Sequence, residues 1–303
     1  MILLCFLLNI LLVPLLLVGV IRKTKALMQT RYGAPVWQPF YDIAKLFRKS
    51  ETISQTASWI FVWTPRVGLI IAVITAACVP WAGSLLPPGW AGISNFLLVL
   101  YLLALGKFLT MLAAMDTGSA FGGLGASREA TISLLVEPAL IIGLGALALK
   151  TGVMDLATIY TAPANPVIAA LVGGALIIAA LAELSRMPVD DPTTHLELTM
   201  VHEAMILENS GRNLALVEYA GALRACVYFG LAAQTWLNVW PGFARTALPL
   251  HYGLSLVALF LLGIFVAVAE GLLVKLKWRA APNYLAFASA LSLLAALVAV
   301  ARG

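Results

Sequence analysis

Several ionisable side chains stand within or at the edges of apolar segments, where they could carry protons. They are Lys107, Asp116, Glu129, Glu137, Glu183, Glu218, Arg224 and Glu270. An ionised side chain at the middle of a bilayer costs at least about 2.5–3.5 kcal/mol, so such a set must be paired internally or reach water. The sequence therefore predicts a polar chain through the interior of a helix bundle, with a role in proton transfer.

Glu137 is the clearest member of this set. Apolar residues precede it, and Pro138 with a further apolar run follows it. We expect Glu137 to be buried, and a buried carboxyl that no neighbour in sequence hydrates can take up and release a proton. Pro138 removes a backbone donor and would kink the helix, which would open room for water.

Structural alternatives stay open for other members of the set. Glu183 and Glu270 lie near predicted helix ends and would simply reach water there. Glu218 and Arg224 would form a structural pair, although a spacing of six residues on one helix is poor for direct contact. Lys107 would find an acid at the end of its own helix or on a neighbouring helix.

The stretch from 183 to 203, ELSRMPVDDPTTHLELTMVHE, concentrates charge in an otherwise apolar sequence. Its charged residues and histidines are Glu183, Arg186, Asp190, Asp191, His195, Glu197, His202 and Glu203. Asp191 as a cap and Pro192 at the first helical position predict a helix from 192 to about 208. His195 and His202 would share one face of that helix, titrate near neutral pH and pass protons.

Charged and apolar residues both ring this predicted helix. A solvated surface helix would explain the charges, whereas burial under a partner protein explains both kinds of residue. We therefore predict a docking surface over 190–208, and we assign Glu183 and Arg186 to the polar chain of the bundle. Two histidines seven residues apart, without a third ligand at a usual spacing, are weak grounds for a metal site.

The composition requires lipid as the solvent. The chain has 303 residues, of which 62% are hydrophobic and 11% charged, whereas soluble domains carry roughly 25% charged residues. Runs of about 20 apolar residues predict an all-α polytopic membrane protein, a single integral membrane domain over 1–303. The predicted spans are 1–21, 62–85, 94–115, 130–150, 165–184, 216–240, 249–272 and 282–301. We interpret 1–21 as a retained span, because it lacks the basic start of a signal peptide.

The basic residues set the predicted orientation. They concentrate in the loops 22–61, 116–129, 185–215 and 273–281, whereas the opposite side holds Lys150, Arg245 and Arg302. The positive-inside rule then makes the first side cytoplasmic and places both termini outside. The long charged loops 22–61 and 185–215 are predicted cytoplasmic docking loops, and the net charge of +5 follows membrane topology rather than nucleic-acid binding.

Two further features give simple predictions. Cys5, Cys78 and Cys226 lie far apart in apolar runs, so they predict buried apolar residues rather than a metal or redox centre. The glycine-rich segment 121–129, FGGLGASRE, lacks the lysine and spacing of a phosphate loop. It predicts close helix packing or an irregular turn at the membrane surface.

Three segments of the chain resemble a known family. They are RYGAPVWQPFYDIAKLFRKS at 31–50, GASREATISLLVEP at 125–138 and AELSRMPVDDPTTHLEL at 182–198, with Glu218-Tyr219 as a further match. Together they resemble subunit 1 of respiratory complex I, and more closely its homologue in membrane-bound group 4 nickel–iron hydrogenases of the formate hydrogenlyase and hydrogenase-4 type. The resemblance covers nearly the whole chain.

The resemblance implies partners and cofactors outside this chain. It implies a hydrogenase-like large subunit and an iron–sulfur small subunit on the cytoplasmic side, antiporter-like membrane subunits, and a place in the cytoplasmic membrane of a bacterium or archaeon. A nickel–iron centre and iron–sulfur clusters would belong to the partners, with no cofactor in this chain. The residues that would dock the partner or couple to it are Gln38, Asp42, Lys45, Arg128, Arg186, Asp190, His195, Glu197, His202 and Glu203.

One departure decides between the branches of the family. The complex I pattern is more acidic where this chain has Thr193 and His195, which favours a hydrogenase-type partner over a quinone chamber. We therefore predict a membrane-anchor and coupling subunit that links cytoplasmic electron transfer to proton or sodium translocation through buried carboxylates. The rival hypotheses are a quinone-chamber subunit of a complex I-type oxidoreductase, a stand-alone ion transporter and a purely structural anchor.

Overall fold

The described part of the protein is all-α. A computed structural model describes residues 8–81, 91–190, 200–243 and 246–302. In chain order the helices are α1 (Val13–Met28), α2 (Gln38–Phe47), α3 (Trp59–Cys78), α4 (Phe96–Asp116), α5 (Ala120–Thr151), α6 (Leu156–Ile159), α7 (Pro166–Glu183), α8 (His202–Ile206), α9 (Gly211–Leu237), α10 (Leu248–Leu272) and α11 (Ala281–Arg302). The polytopic all-α prediction is confirmed.

Within these ranges, seven helices are long and apolar enough to cross a membrane. They are α3, α4, α5, α7, α9, α10 and α11. They match the predicted spans after the first one, 1–21, whose residues 1–7 lie outside the described part. Residues 8–11 are helical, and α1 continues from Val13 to Met28, whereas the predicted span ends at 21.

Two predicted boundaries are wrong. Residues 120–129 were expected in a loop, yet they form the first turns of α5, which runs through Pro138 without interruption. A helix was expected from 192 to 208, but residues 200 and 201 are not helical and α8 begins at His202. The physical reason is that the Asp190 carboxylate accepts the backbone N–H groups of Val201 and His202, both at 3.3 Å.

Helix α9 is the centre of the bundle. It packs against α3, α7, α10, α1 and α2. Its residues Leu223, Cys226, Phe229 and Leu231 are completely buried, so α9 is surrounded by protein along much of its length. A helix that is apolar all round is buried in this way, and the few polar residues that α9 carries must meet partners inside the bundle.

Side-chain caps begin several of the spanning helices. Ser58 accepts the N–H of Ile60 at the start of α3, and Asn95 accepts the N–H of Leu97 at the start of α4. Asn165 does the same for α7, where Pro166 occupies the first helical position. These residues satisfy backbone donors that lipid could not, which fixes where each helix enters the bundle.

The glycine-rich start of α5 packs closely against the segment that precedes and forms α8. A Cβ atom built on Gly125 would lie 2.8 Å from the carbonyl oxygen of Val201 and 3.1 Å from Ala204, whereas one on Gly123 meets nothing within 4 Å. Close packing, one of the two expectations for this segment, is therefore the correct one. Gly125 sets the depth at which residues 200–206 rest on the bundle.

We predict that Gly125→Ala loosens residues 200–206. The added methyl group would overlap the backbone carbonyl of Val201, so residues 200–206 must move away. This costs about 1–3 kcal/mol of folding free energy. The thermal unfolding midpoint of the purified chain should fall, and protease cleavage near residue 200 should become faster. Gly123→Ala, on the same helix, is the matched control; equal effects of the two substitutions would contradict this account.

Candidate functional site

A buried lysine lies between two carboxylates inside the helix bundle. The Lys107 Nζ atom is 2.5 Å from Glu129 Oε1 and 2.8 Å from Glu183 Oε2, and the three side chains are buried. They come from α4, α5 and α7 respectively. The sequence left open which acid would pair with Lys107, and the structure supplies acids from two neighbouring helices rather than Asp116 of its own.

The central helix α9 completes this cluster. Tyr228 donates its hydroxyl proton to Glu183 Oε2 at 3.0 Å. One turn earlier on the same helix, Arg224 is close enough for its charge to act on Glu129. We call Lys107, Glu129, Glu183 and Tyr228 the ion-pair cluster. It contains more carboxylates than ammonium groups, which is an arrangement that can bind a further proton.

A polar cavity of about 290 Å³ borders the ion-pair cluster. Its ionisable lining residues come from seven helices and from the segment around 186. They are Arg22, Lys25, Lys107, Glu129, Glu183, Arg186, His202, Glu203, Glu218, Arg224 and Glu270. Most of the predicted polar chain therefore does meet at one place, together with residues that the sequence assigned to docking.

A third buried acid, Glu270, lines the polar cavity. Glu270 is 4% exposed, so the alternative that it reaches water at the helix end is wrong. Its carboxylate accepts a hydrogen bond from Arg186 at 2.9 Å and lies 3.7 Å from the Lys25 ammonium group. Arg186 thereby links α10 to the segment that follows α7.

Glu218 lies at the rim of the polar cavity. It is exposed, and its carboxylate lies 4.0 Å from the guanidinium group of Arg22. Glu218 therefore pairs with Arg22 rather than with Arg224, the partner that the sequence suggested. Arg22 also contacts Asp42 at 3.3 Å, and Gln38 donates to Asp42 at 2.9 Å. Gln38 and Asp42, expected in partner docking, therefore hold α2 against α1 in this chain.

Asp116 stands apart from the ion-pair cluster and caps a helix. Its two carboxylate oxygens accept the N–H of Ser58 at 2.8 Å, the Ser58 hydroxyl at 2.7 Å and the N–H of Phe61 at 3.2 Å. These bonds tie the end of α4 to the start of α3. The geometry explains Asp116 by helix capping, which the sequence did not consider for it.

Glu137 is exposed on the side of the bundle, so the expectation that it is buried is wrong. It lies at a lateral cavity of about 450 Å³ between α4 and α5, with largely apolar walls. Lys107, Glu183 and Tyr228 line this lateral cavity too, and so does the buried hydroxyl of Ser133. Lys107 and Glu183 thus border both the polar cavity and the lateral cavity.

The segment around the predicted docking surface is anchored by charges. Asp190 pairs with Lys275 at 2.7 Å, and Arg128 donates to the carbonyl oxygen of Met200 at 3.2 Å and lies over the ring of Trp278. These contacts hold residues 190 and 200 over the start of α5 and the end of α10, on the side for which the sequence predicts a cytoplasmic location. His195 and Glu197 lie outside the described residues, and so do Thr193 and the proposed cap of Asp191 and Pro192.

His202 faces the polar cavity and does not titrate near neutral pH. Burial, followed by the positive charges of Arg224 and Lys107, lowers the pKa of His202 to about 3. The expectation that it passes protons near pH 7 is therefore wrong for the chain by itself. Glu203 lines the same cavity, whereas Lys45 is exposed on α2.

Sequence reasoning missed several cavity residues. Tyr228 follows Arg224 by four residues, so the helical repeat could have placed it on the same face. Arg22, Lys25 and Lys275 were counted as evidence for orientation, although each is paired with an acid. In the described part of the chain, histidine, cysteine and acidic residues form no group of three that could hold a metal ion, and Cys78 and Cys226 are buried thiols.

The chain matches a known family over almost its full length. The model of the NADH dehydrogenase family covers residues 1–301. The chain belongs to this family, which is that of complex I subunit 1. The family resemblance inferred from the three sequence segments is thereby confirmed.

Its relatives within the NADH dehydrogenase family include hydrogenase subunits. Hydrogenase-4 component C of Escherichia coli (strain K12) is 33% identical over 229 residues, which is 73% of this chain and 70% of that protein. Formate hydrogenlyase subunit 4 of the same organism is 29% identical over 93% of this chain and 94% of that protein. An NADH-quinone oxidoreductase subunit of Wolbachia pipientis wMel is 31% identical over 67% of this chain and 66% of that protein.

A solved structure shares the fold. It is that of the membrane-bound sulfane sulfur reductase, an archaeal respiratory membrane complex; the TM-score is 0.79 over 98% of this chain and 99% of that one, at 20% identity. The named relatives are membrane subunits of hydrogenases and of complex I. This chain is a multi-pass membrane protein of that type.

We predict that His202 makes the stability of this family member sensitive to acid. Its pKa is about 3 in the folded chain and ordinarily 6.5, so between these values the unfolded chain binds a proton that the folded chain does not. The contribution is fully present above pH 6.5 and is lost as the pH falls toward 3, by up to about 1.4 kcal/mol per pH unit.

Thermal unfolding at pH 7 and at pH 4.5 tests this prediction. The unfolding midpoint of the unaltered chain should fall more on acidification than that of His202→Gln. His251→Gln, which changes a histidine at the opposite end of the bundle, should behave like the unaltered chain. A parallel fall in His202→Gln would show that other groups set the acid sensitivity.

Proposed function

We propose that this chain is the membrane-anchor and coupling subunit of a redox complex similar to group 4 hydrogenases. In this proposal, electron transfer in a cytoplasmic partner drives proton or sodium translocation through the carboxylates of the bundle. The observation that carries it is the position of Lys107 and Glu183, which line both the polar cavity and the lateral cavity. This ion pair therefore lies where the two spaces adjoin.

The ion-pair cluster offers a mechanism for transfer of one proton at a time. The Lys107 ammonium group is shared between Glu129 and Glu183. A shift of this group toward Glu129 leaves Glu183 without its cation, and Glu183 then accepts a proton from the side of the polar cavity. When the Lys107 ammonium group returns toward Glu183, its positive charge favours loss of the proton from Glu183. Glu137 can accept this proton at the lateral cavity. Tyr228 keeps the Glu183 carboxylate oriented throughout.

The segment from 186 to 206 can transmit the state of a cytoplasmic partner. Arg186 contacts Glu270, Asp190 contacts Lys275, and His202 faces the polar cavity. A partner that moves or recharges this segment alters the field at the ion-pair cluster, because ionic interactions in a medium of low dielectric are strong. We propose that Arg128, Arg186, Asp190, His202 and Glu203 act here, with His195 and Glu197 in the same docking surface.

The lateral cavity fits contact with a second membrane subunit. Glu137 is exposed on a spanning helix, and an acid that faces lipid is unfavourable by several kcal/mol. A neighbouring membrane subunit that covers the lateral cavity would remove that cost and continue the proton path. Antiporter-like subunits are the partners that we propose for this side.

The relatives support the choice of partner and cofactors. Hydrogenase-4 component C and formate hydrogenlyase subunit 4 carry the names of hydrogenase complexes. We therefore propose a hydrogenase-like large subunit with a nickel–iron centre and a small subunit with iron–sulfur clusters on the cytoplasmic side. The proposed location is the cytoplasmic membrane of a bacterium or archaeon.

A quinone-reducing role is the second candidate. It is favoured by the relationship to the NADH-quinone oxidoreductase subunit of Wolbachia pipientis and would use the polar cavity as a quinone chamber. Extraction of lipids from the purified complex separates the two candidates. Stoichiometric quinone, with inhibition by quinone-site inhibitors, supports the second candidate, and its absence together with a co-purified nickel–iron subunit supports the first.

Glu183→Gln in the assembled complex should abolish coupling. The amide keeps the shape but cannot hold a proton, so ion translocation should fall by about a hundredfold, while the partner subunits still co-purify. Translocation is measured as acidification or alkalinisation of vesicles during turnover. Glu208→Gln, an exposed acid of the same side, is the control and should leave translocation unchanged; equal rates in both variants would refute the coupling role.

Glu137→Gln tests the lateral exit separately. We expect loss of translocation with normal partner assembly, because only the proton acceptor at the lateral cavity is removed. Glu137→Asp, which keeps the acid, should retain measurable translocation. If Glu137→Gln pumps and turns over like the unaltered complex, the protons leave by another route and the chain is closer to a structural anchor.

A further inference from the structure

Helix α2 starts beside the middle of α1 rather than above its end. A Cβ atom built on Gly19 would overlap the carbonyl oxygen of Val36, so only glycine allows the Val36 backbone to pack there. From Gly19, α1 continues to Met28, which is a length of about 13 Å at 1.5 Å per residue. The chain therefore turns back after α1, and α2 begins well below the level at which α1 ends.

The other end of α2 lies at the beginning of the central spanning helix. A Cβ atom on Gly211, the first residue of α9, would lie 2.5 Å from the carbonyl oxygen of Ser50. Ser210 exchanges hydrogen bonds with the backbone of Thr52, at 2.8 and 3.0 Å. The stretch from Val36 to Ser50, which contains α2, thus runs from the level of Gly19 to that of Gly211, at the predicted cytoplasmic end of the bundle, where the headgroup layer of a bilayer would lie.

The outward face of α2 carries aromatic residues first and cations last. Trp37, which directly precedes α2, and Tyr41 are 57% and 67% exposed, and Arg48, which directly follows α2, continues the same exposed stripe. Lys45 and Lys49 flank this stripe and are exposed as well, whereas Pro39 is buried on the inner face. The aromatic rings therefore lie at the deeper end of α2 and the cations at the shallower end.

This order matches the layers of a bilayer surface. Tryptophan and tyrosine favour the level just below the headgroups, and lysine and arginine favour the level of the phosphates. The cations are also available, because Lys45, Arg48 and Lys49 form no ion pair with any residue that the structure describes. Arg212 is exposed next to Gly211 and adds a further cation to the same corner.

We propose that α2 binds anionic phospholipid through Lys45, Arg48, Lys49 and Arg212, with the acyl chains against Trp37 and Tyr41. We call these six residues the headgroup site. A soluble partner protein would also be attracted by exposed aromatic and basic residues. The depth of α2 and the order of its residues favour lipid, since a soluble partner does not reach the level of Gly19 in a membrane. Lys45, expected in partner docking, is assigned to lipid instead.

The test compares two charge-matched double variants of the full-length chain in mild detergent. Arg48→Gln with Lys49→Gln alters the headgroup site, and Lys277→Gln with Arg279→Gln removes two exposed cations elsewhere. Each variant is titrated with phosphatidylglycerol or phosphatidylcholine, and bound lipid is counted by native mass spectrometry. We expect the first variant to bind phosphatidylglycerol about tenfold more weakly, with unchanged retention of phosphatidylcholine. The second variant should bind both lipids normally.

Three outcomes would overturn the proposal. The first is an equal effect of the two double variants, or none. The second is full competition by glycerol phosphate at the concentration that works for phosphatidylglycerol, which would make the corner a site for free phosphate. The third is loss of partner subunits from the assembled complex in the first variant while lipid binding stays normal, which would make α2 a protein-docking surface. Trp37→Leu, which keeps every cation, should weaken lipid retention without changing the preference for anionic headgroups.

Discussion

The architecture depends on a lysine that has to be neutralised where water is scarce. Lys107 lies between Glu129 and Glu183, and these side chains come from three different spanning helices. Removing one partner of a buried ion pair typically costs about 3–5 kcal/mol, because the charge that stays behind is uncompensated. The pairing therefore fixes α4, α5 and α7 relative to one another, and it places the two cavities on either side of a common wall.

Helix α9 connects this wall to the rest of the chain. Its outer turns contact Ser50 and Arg22 through Gly211 and Glu218, and deeper turns bring Arg224 and Tyr228 to the ion-pair cluster. The same helix is buried on most sides by apolar neighbours. Structural support and polar chemistry thus share one element, so a displacement of its predicted cytoplasmic end is felt at the cluster through a rigid body.

The sequence was sufficient for the spanning helices and for most members of the polar chain, but not for Asp116 and Glu137, which lie outside the polar cavity. Apolar runs predict spans because lipid cannot satisfy a free backbone, and ionisable residues in such runs stand out. It was harder to predict from the sequence which face of each helix is buried. Glu137 is exposed and Glu270 is buried, although both sit in apolar sequence, because neighbouring helices decide which side of a helix is covered. Asp116 caps another helix, and the low pKa of His202 arises from residues that are distant in sequence.

In the proposed function, the common wall of the two cavities would also act as an electrical insulator. Lys107 and Glu183 are 2.8 Å apart and line both spaces, so a difference in electrical potential between the two cavities would act on this ion pair. Each elementary charge that crosses about 100 mV gains or loses about 2.3 kcal/mol, which is comparable to the energies that hold such a pair together. In the proposed function, the intact pair would therefore limit leakage between the cavities, and its state would depend on voltage as well as on chemistry.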